Sequence, residues 1–135
     1  MTQPSNVLDF ALPLVEIEDL SISFPDRNGE FHNVVPSLSF SLRPGEVVGL
    51  VGESGSGKSV SARAIVGLSG ARARVSAKKL TFAGKNLLQF KERDWRALRG
   101  TDIGFVLQDA LVSLDPLRKI GDEVAEALCA HGWMG

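Results

Sequence analysis

"GLVGESGSGKSV", residues 49–60, places glycines at 52, 55 and 57 directly ahead of a lysine and a serine. Gly52, Gly57, Lys58 and Ser59 fit the spacing G-x-x-x-x-G-K-S/T, in which glycines let the backbone curl until successive N–H groups point inward at phosphate oxygens. Working outward, Val47, Val48, Leu50 and Val51 read as a buried strand. Ser59 to Leu68 reads as a helix whose N-terminal dipole favours a bound phosphate. Strand, loop and helix together are the context that the spacing requires. Lys58 is placed to reach the β- and γ-phosphates, and the Ser59 hydroxyl to ligate the Mg2+ that neutralises them. Gly52, Glu53, Ser54, Gly55, Ser56, Gly57, Lys58, Ser59 and Val60 are therefore the candidate phosphate-binding residues. A dinucleotide fingerprint fails, because Gly55-Ser56-Gly57 is followed by Val60 where a further glycine is required.

The rest of the composition suits that reading. At 135 residues, with 44% hydrophobic and 23% charged residues, the chain has room for one globular domain. A net charge of −1 shows no commitment to nucleic acid or anionic lipid. Arg72, Arg74, Lys78 and Lys79 form a local basic cluster, read as a solvated face. The single cysteine, Cys129, excludes an internal disulfide framework and fits a reducing compartment. His131 lies close by, but one cysteine and one histidine make no metal site. The start, "MTQPSNVLDF", has neither a basic nor an apolar leader region, and no apolar run approaches a membrane span. The expectation is a cytosolic protein, or one attached to a membrane through a partner. "IGDEVAEALCAHGWMG" stops just beyond a helical pattern and leaves Trp133 and Met134 without visible apolar partners, so the chain is expected to be part of a longer polypeptide.

Along the chain, "LVEIEDLSISF" (Leu14 to Phe24) alternates as a strand, with Val15 and Ile17, then Leu20, Ile22 and Phe24, on the repeating positions. Pro25 to Glu30 is turn chemistry, sharpest at Asn28-Gly29. In "SLSFSL", Leu38, Phe40 and Leu42 alternate with serines, and Arg43 to Glu46 turns the chain toward the phosphate loop. Strands thus precede the nucleotide loop, whereas in many small GTPases and nucleotide kinases the loop follows the very first strand. Beyond the loop helix, "KLTFAGKNL" reads as strand and turn, and "QFKERDWRALRG" as a short helix with Phe90, Trp95 and Leu98 near one face and Gly100 as its stop. Ile103 to Gln108 reads as a second buried strand ending on a polar residue. "DALVSLDPL" reads as a loop, and Arg118 to Ala130 resumes helical spacing through Ile120, Val124, Ala127 and Leu128.

These residues resemble the ATP-binding subunits of ABC transporters, and within them the branch that energises dipeptide, oligopeptide and nickel import. "LSISF", "SFSLRPGEVVGLVGESGSGKS" and "LRGTDIGFVLQDALVSLDPLRKIGDEVAEAL", with the spacing among them, carry the resemblance over most of the chain. It implies an α/β P-loop NTPase fold with an antiparallel β-subdomain. The N-terminal part of one ATP-binding domain, ending before the signature motif, is then expected to occupy residues 1–135, with the β-subdomain and P-loop core at about 12–107 and the Q-loop and start of a helical subdomain at 108–135.

The resemblance also implies roles, with ATP and Mg2+ as cofactors. Phe24 stands at the aromatic position that stacks on adenine, which needs only a π-face. Val35 would flank the same ring, and Phe31 is the rival aromatic if the turn is registered differently. Gln108 matches the Q-loop glutamine, whose carbonyl oxygen reaches Mg2+ and the attacking water. A polar residue ending a buried parallel strand is where α/β folds place ligand contacts. Ala110 replaces the proline common after Gln-Asp, and Pro36 stands where an acidic residue is frequent.

No L-S-G-G-Q signature is present; "LSGA" at Leu68 to Ala71 comes too early and lacks the second glycine and the glutamine. There is also no apolar strand ending in Asp-Glu and no switch histidine, since His32 and His131 lack that context. The expected partners are transmembrane permease subunits and a second ATP-binding subunit, with no nucleic acid. The protein would then lie on the inner face of the cytoplasmic membrane. The chain by itself is expected to bind ATP without turning it over. A nucleic-acid-dependent ATPase of the same superfamily and a short ATP-binding regulatory protein are the alternatives. Balanced charge argues against the first.

Overall fold

The computed structural model describes residues 12–109 and 114–133, so the expectations placed on residues 1–10, Ala110 and Met134 lie outside them. The chain forms two compact units, Met1–Phe90 and Lys91–Gly135. The first is built on an antiparallel sheet of order β2-β1-β4-β5, in which β3 also pairs with β1.

β1 (Val15–Pro25) and β2 (Phe31–Leu42) form a long hairpin across the expected turn. Asp26 organises that turn: its Oδ1 accepts from the backbone N–H groups of Asn28 at 2.7 Å and Glu30 at 3.0 Å. The hydrophobic phase of β1 changes midway, and the backbone shows why. Val15 and Ile17 are buried, then Leu20 and Ile22, while Asp19 between them has φ 49° and interrupts the register with β2. A bulge of this kind restores both apolar sets to one face, where a strict period of two would have turned the second set to solvent.

Asp19 tolerates the left-handed backbone because its short polar side chain is held. It accepts from Ser37 Oγ at 3.1 Å and pairs with Lys78 Nζ at 2.5 Å. Lys78 lies between β3 (Arg74–Ser76) and β4 (Lys79–Phe82), which run antiparallel to the second and first halves of β1. β5 (Lys85–Asn86) closes the sheet after the Ala83-Gly84 turn. Leu20, Ile22 and Leu80 are fully buried, each worth about 2 kcal/mol relative to exposure. Pro36 sits on β2, an edge strand, where a missing N–H costs no ladder bond on the open side.

α1 (Lys58–Ile65) follows the phosphate loop and contacts β2, burying Ser61 and Ala64. The strands expected at Val47–Val51 and Ile103–Gln108 are not formed. No strand pairs with either segment among the described residues, apart from a single bridge between Arg99 and Ile103. Val47, Val51 and Val106 are more than nine-tenths exposed. Apolar runs of this kind become buried strands only when flanked on both edges and covered on both faces.

The second unit holds α2 (Glu92–Leu98) and α3 (Ile120–Ala130). α2 begins where Lys91 N–H donates to Asp94 Oδ2 at 2.9 Å. It stops at Gly100, whose φ of 79° ends the helix as the sequence indicates. α3 carries no buried residue, and Ile120 and Val124 are exposed.

Candidate functional site

The curl at residues 52–58 is set by its glycines. Ser56 N–H donates to Glu53 O at 3.1 Å, closing a turn through Gly55 at φ 82°, and Gly57 follows at φ 92°. Both angles lie where a side chain is strained. Space excludes a side chain as well: a Cβ on Gly52 would stand 2.5 Å from Ser56 Oγ, and one on Gly57 2.6 Å from Val35 Cγ2 and 3.0 Å from Val34 O. Loop and helix are tied together by buried Ser61, whose N–H and Oγ both donate to Gly57 O at 2.8 Å.

Lys58 bends back over this curl. Its Nζ donates to Gly52 O and Glu53 O, each at 2.6 Å, and to Ser56 Oγ at 3.2 Å, using all three ammonium hydrogens. α1 has no side-chain cap at Gly57 and no acidic residue in its first turn. The N–H groups of Lys58, Ser59 and Val60 therefore have no intrahelical acceptor, and nothing in the helix offsets the positive end of its dipole. Ser59 is exposed beside them. Convergent backbone donors, a lysine at the rim and an accessible hydroxyl suit a polyphosphate with its Mg2+.

The sheet adds an apolar flank. Ile22 pairs with Val35 and Phe24 with His32, so these side chains share one face of the hairpin, the face from which Val35 meets Gly57. Phe24 is half-buried there. Phe31 pairs with Pro25 on the opposite face, and its ring is covered by the Arg74 guanidinium at 3.5 Å from the centroid. Of the two aromatic candidates, Phe24 is thus the one on Val35's side. Gln108 belongs to the second unit and is exposed.

Other contacts lay beyond sequence reasoning. Three residues of the basic cluster are engaged locally: Lys78 pairs with Asp19, Lys79 with Glu16 at 2.8 Å, and Arg74 stacks on Phe31. His32 Nε2 lies 3.1 Å from Asp26 Oδ2, a contact that only the hairpin register reveals. That hydrogen bond is the chief reason the Asp26 carboxyl is held below its ordinary range, with the Glu30 and Asn28 N–H groups acting in the same direction.

An antiparallel sheet and a glycine-rich loop opening a helix are the parts of an α/β P-loop nucleotide-binding fold seen among the described residues. Residues 35–131 match the family described as ABC transporter, and the chain belongs to that family. It is 42% identical over 120 residues to the dipeptide transport ATP-binding protein DppD of Escherichia coli, covering 89% of this chain and 36% of that one. With the protein of the same name from Lactococcus lactis the identity is 38% over 118 residues, 87% of this chain and 34% of the relative. The oligopeptide transport ATP-binding protein OppD of Salmonella typhimurium is 39% identical over 132 residues, 98% of this chain and 37% of its own length. The chain thus spans about a third of the length of these relatives. Among the described residues no helix is long and apolar enough to cross a membrane.

Proposed function

We propose that this chain binds Mg-ATP as part of the ATP-binding subunit of an importer for peptides or a similar small solute. In this reading the N–H groups at the start of α1 and Lys58 hold the β- and γ-phosphates, and the Ser59 hydroxyl ligates Mg2+. Phe24 stacks on the adenine with Val35 at its flank. Gln108 keeps the Q-loop role that the resemblance implies. Bound Mg2+ supplies charge neutralisation for phosphoryl transfer to water, and the chain's own part is to position the phosphates and exclude alternatives.

The observation that carries the reading is the curled loop at residues 52–58, tied down by Lys58 and Ser61 and packed against Val35. The names of the relatives support the peptide branch. Permease subunits and a second ATP-binding subunit would be the partners, placing the protein on the inner face of the cytoplasmic membrane. Local pairing of the basic cluster speaks against nucleic acid as the partner.

Titration calorimetry with Mg-ATP tests the site directly. Lys58→Ala should weaken binding at least tenfold, because the phosphates lose their point charge beside the helix N-terminus. Unchanged affinity would remove the loop from the site.

A further inference from the structure

We propose that His32 reads the purine edge of the bound nucleotide and makes this site prefer ATP over GTP, an inference that rests on the nucleotide site proposed above. Phe24 and His32 are direct cross-strand partners, so their side chains leave the sheet on one face about 5 Å apart at Cβ. A purine stacked on Phe24 overhangs that ring, and its edge then comes within reach of the imidazole. The His32 side chain is 64% exposed and accessible to it.

The tautomer follows from Asp26. An ionised carboxylate only accepts, so the contact between His32 Nε2 and Asp26 Oδ2 at 3.1 Å requires the hydrogen on Nε2. In the neutral ring Nδ1 is then an acceptor, and among the described residues it has no partner. Adenine presents a donor at its N6 amine, whereas guanine presents the O6 acceptor at the same position. A neutral His32 therefore completes a hydrogen bond with adenine and sets two lone pairs against each other with guanine.

Asp26 and Glu30, both from the turn, bring their carboxylates within 4.8 Å of the His32 nitrogen. β1 faces the ring with uncharged Phe24, and Arg74 of β3 is engaged with Phe31 on the far face.

The test measures dissociation constants for Mg-ATP, Mg-GTP and Mg-ITP on the full chain, freed of trace transition metals over a chelating resin. At a pH of about 8 the preference for ATP over GTP should be about tenfold. Ionisation of the γ-phosphate cancels in the ratio. Inosine triphosphate, which carries O6 without the guanine amine, should behave as GTP. His32→Phe should weaken ATP binding severalfold, leave GTP binding no weaker, and so lose the preference. His32→Gln, whose amide can both donate and accept, should bring the ratio toward parity. A preference that survives in His32→Phe overturns the inference. Binding that depends on Lys58 but shows no such preference sinks this inference alone. No nucleotide binding, or binding indifferent to Lys58→Ala, sinks the nucleotide site as well.

Discussion

Lys58 spends its three hydrogens on acceptors of its own loop, Gly52 O, Glu53 O and Ser56 Oγ. A phosphate arriving at the start of α1 shares a donor that is already in place, so little side-chain freedom remains to be lost on binding. Phe24 is a different kind of contributor, because a π-face barely distinguishes purines. Phe24→Ala should weaken ATP and GTP alike by roughly 1 kcal/mol, about fivefold in affinity, leaving their ratio unchanged in calorimetry. A loss confined to one purine would move the base away from this ring. The curl at residues 52–58 was legible in the sequence because the glycine spacing prescribes it. The Asp26–His32 contact was not, since it joins residues brought opposite only by the register of two strands.

At the scale of elements, β1, the turn after it, residues 37–42 of β2 and the three α-helices were readable from periodicity and stop residues, whereas residues 31–36 of β2 show no alternation and were not. β3 was not, because its three residues, Arg74–Ser76, are too few to show a period. The apolar runs at Val47–Val51 and Ile103–Gln108 carry the composition of buried strands, but composition does not provide neighbours, and ladder pairing is what makes a strand. The bulge at Asp19 joins β1, β2 and the β3–β4 junction through Ser37 and Lys78, and its stability is pH-linked. Its hydrogen bonds to Lys78 and Ser37 hold the Asp19 carboxyl below the ordinary range, and His32 does the same for Asp26. A lowered carboxyl pKa contributes stability that is present above the unfolded value and lost as pH falls through the folded one. Lys78, raised chiefly by its hydrogen bond with Asp19, loses its contribution only as pH rises through the raised value, above the ordinary lysine range. Urea midpoints should therefore be flat with respect to these groups at neutral pH and fall below about pH 4. Asp19→Asn should flatten part of the acid limb, and an unchanged limb would assign the acid loss elsewhere.

For the whole chain, the fully exposed Val47 and Val51 in the first unit, and Val106 and Leu117 in the second, are apolar surface of the kind that drives association. Sedimentation should show concentration-dependent association, reduced by Val51→Lys; a monodisperse monomer at high concentration would contradict this. A phosphate-release assay should find no Lys58-dependent turnover by the chain alone, since the sequence offers neither the signature stretch nor an Asp-Glu pair at the end of an apolar strand to activate water. The Val35 side chain and the Val34 carbonyl, meanwhile, abut Gly57 so closely that no side chain would fit between them. Amide hydrogens along the Val34–Val35 segment of β2 should thus exchange with deuterium more slowly once nucleotide quiets the loop, while those at the remote Val15 to Leu42 end keep their rates. The hairpin would then report occupancy of a site to which its backbone donates no hydrogen bond.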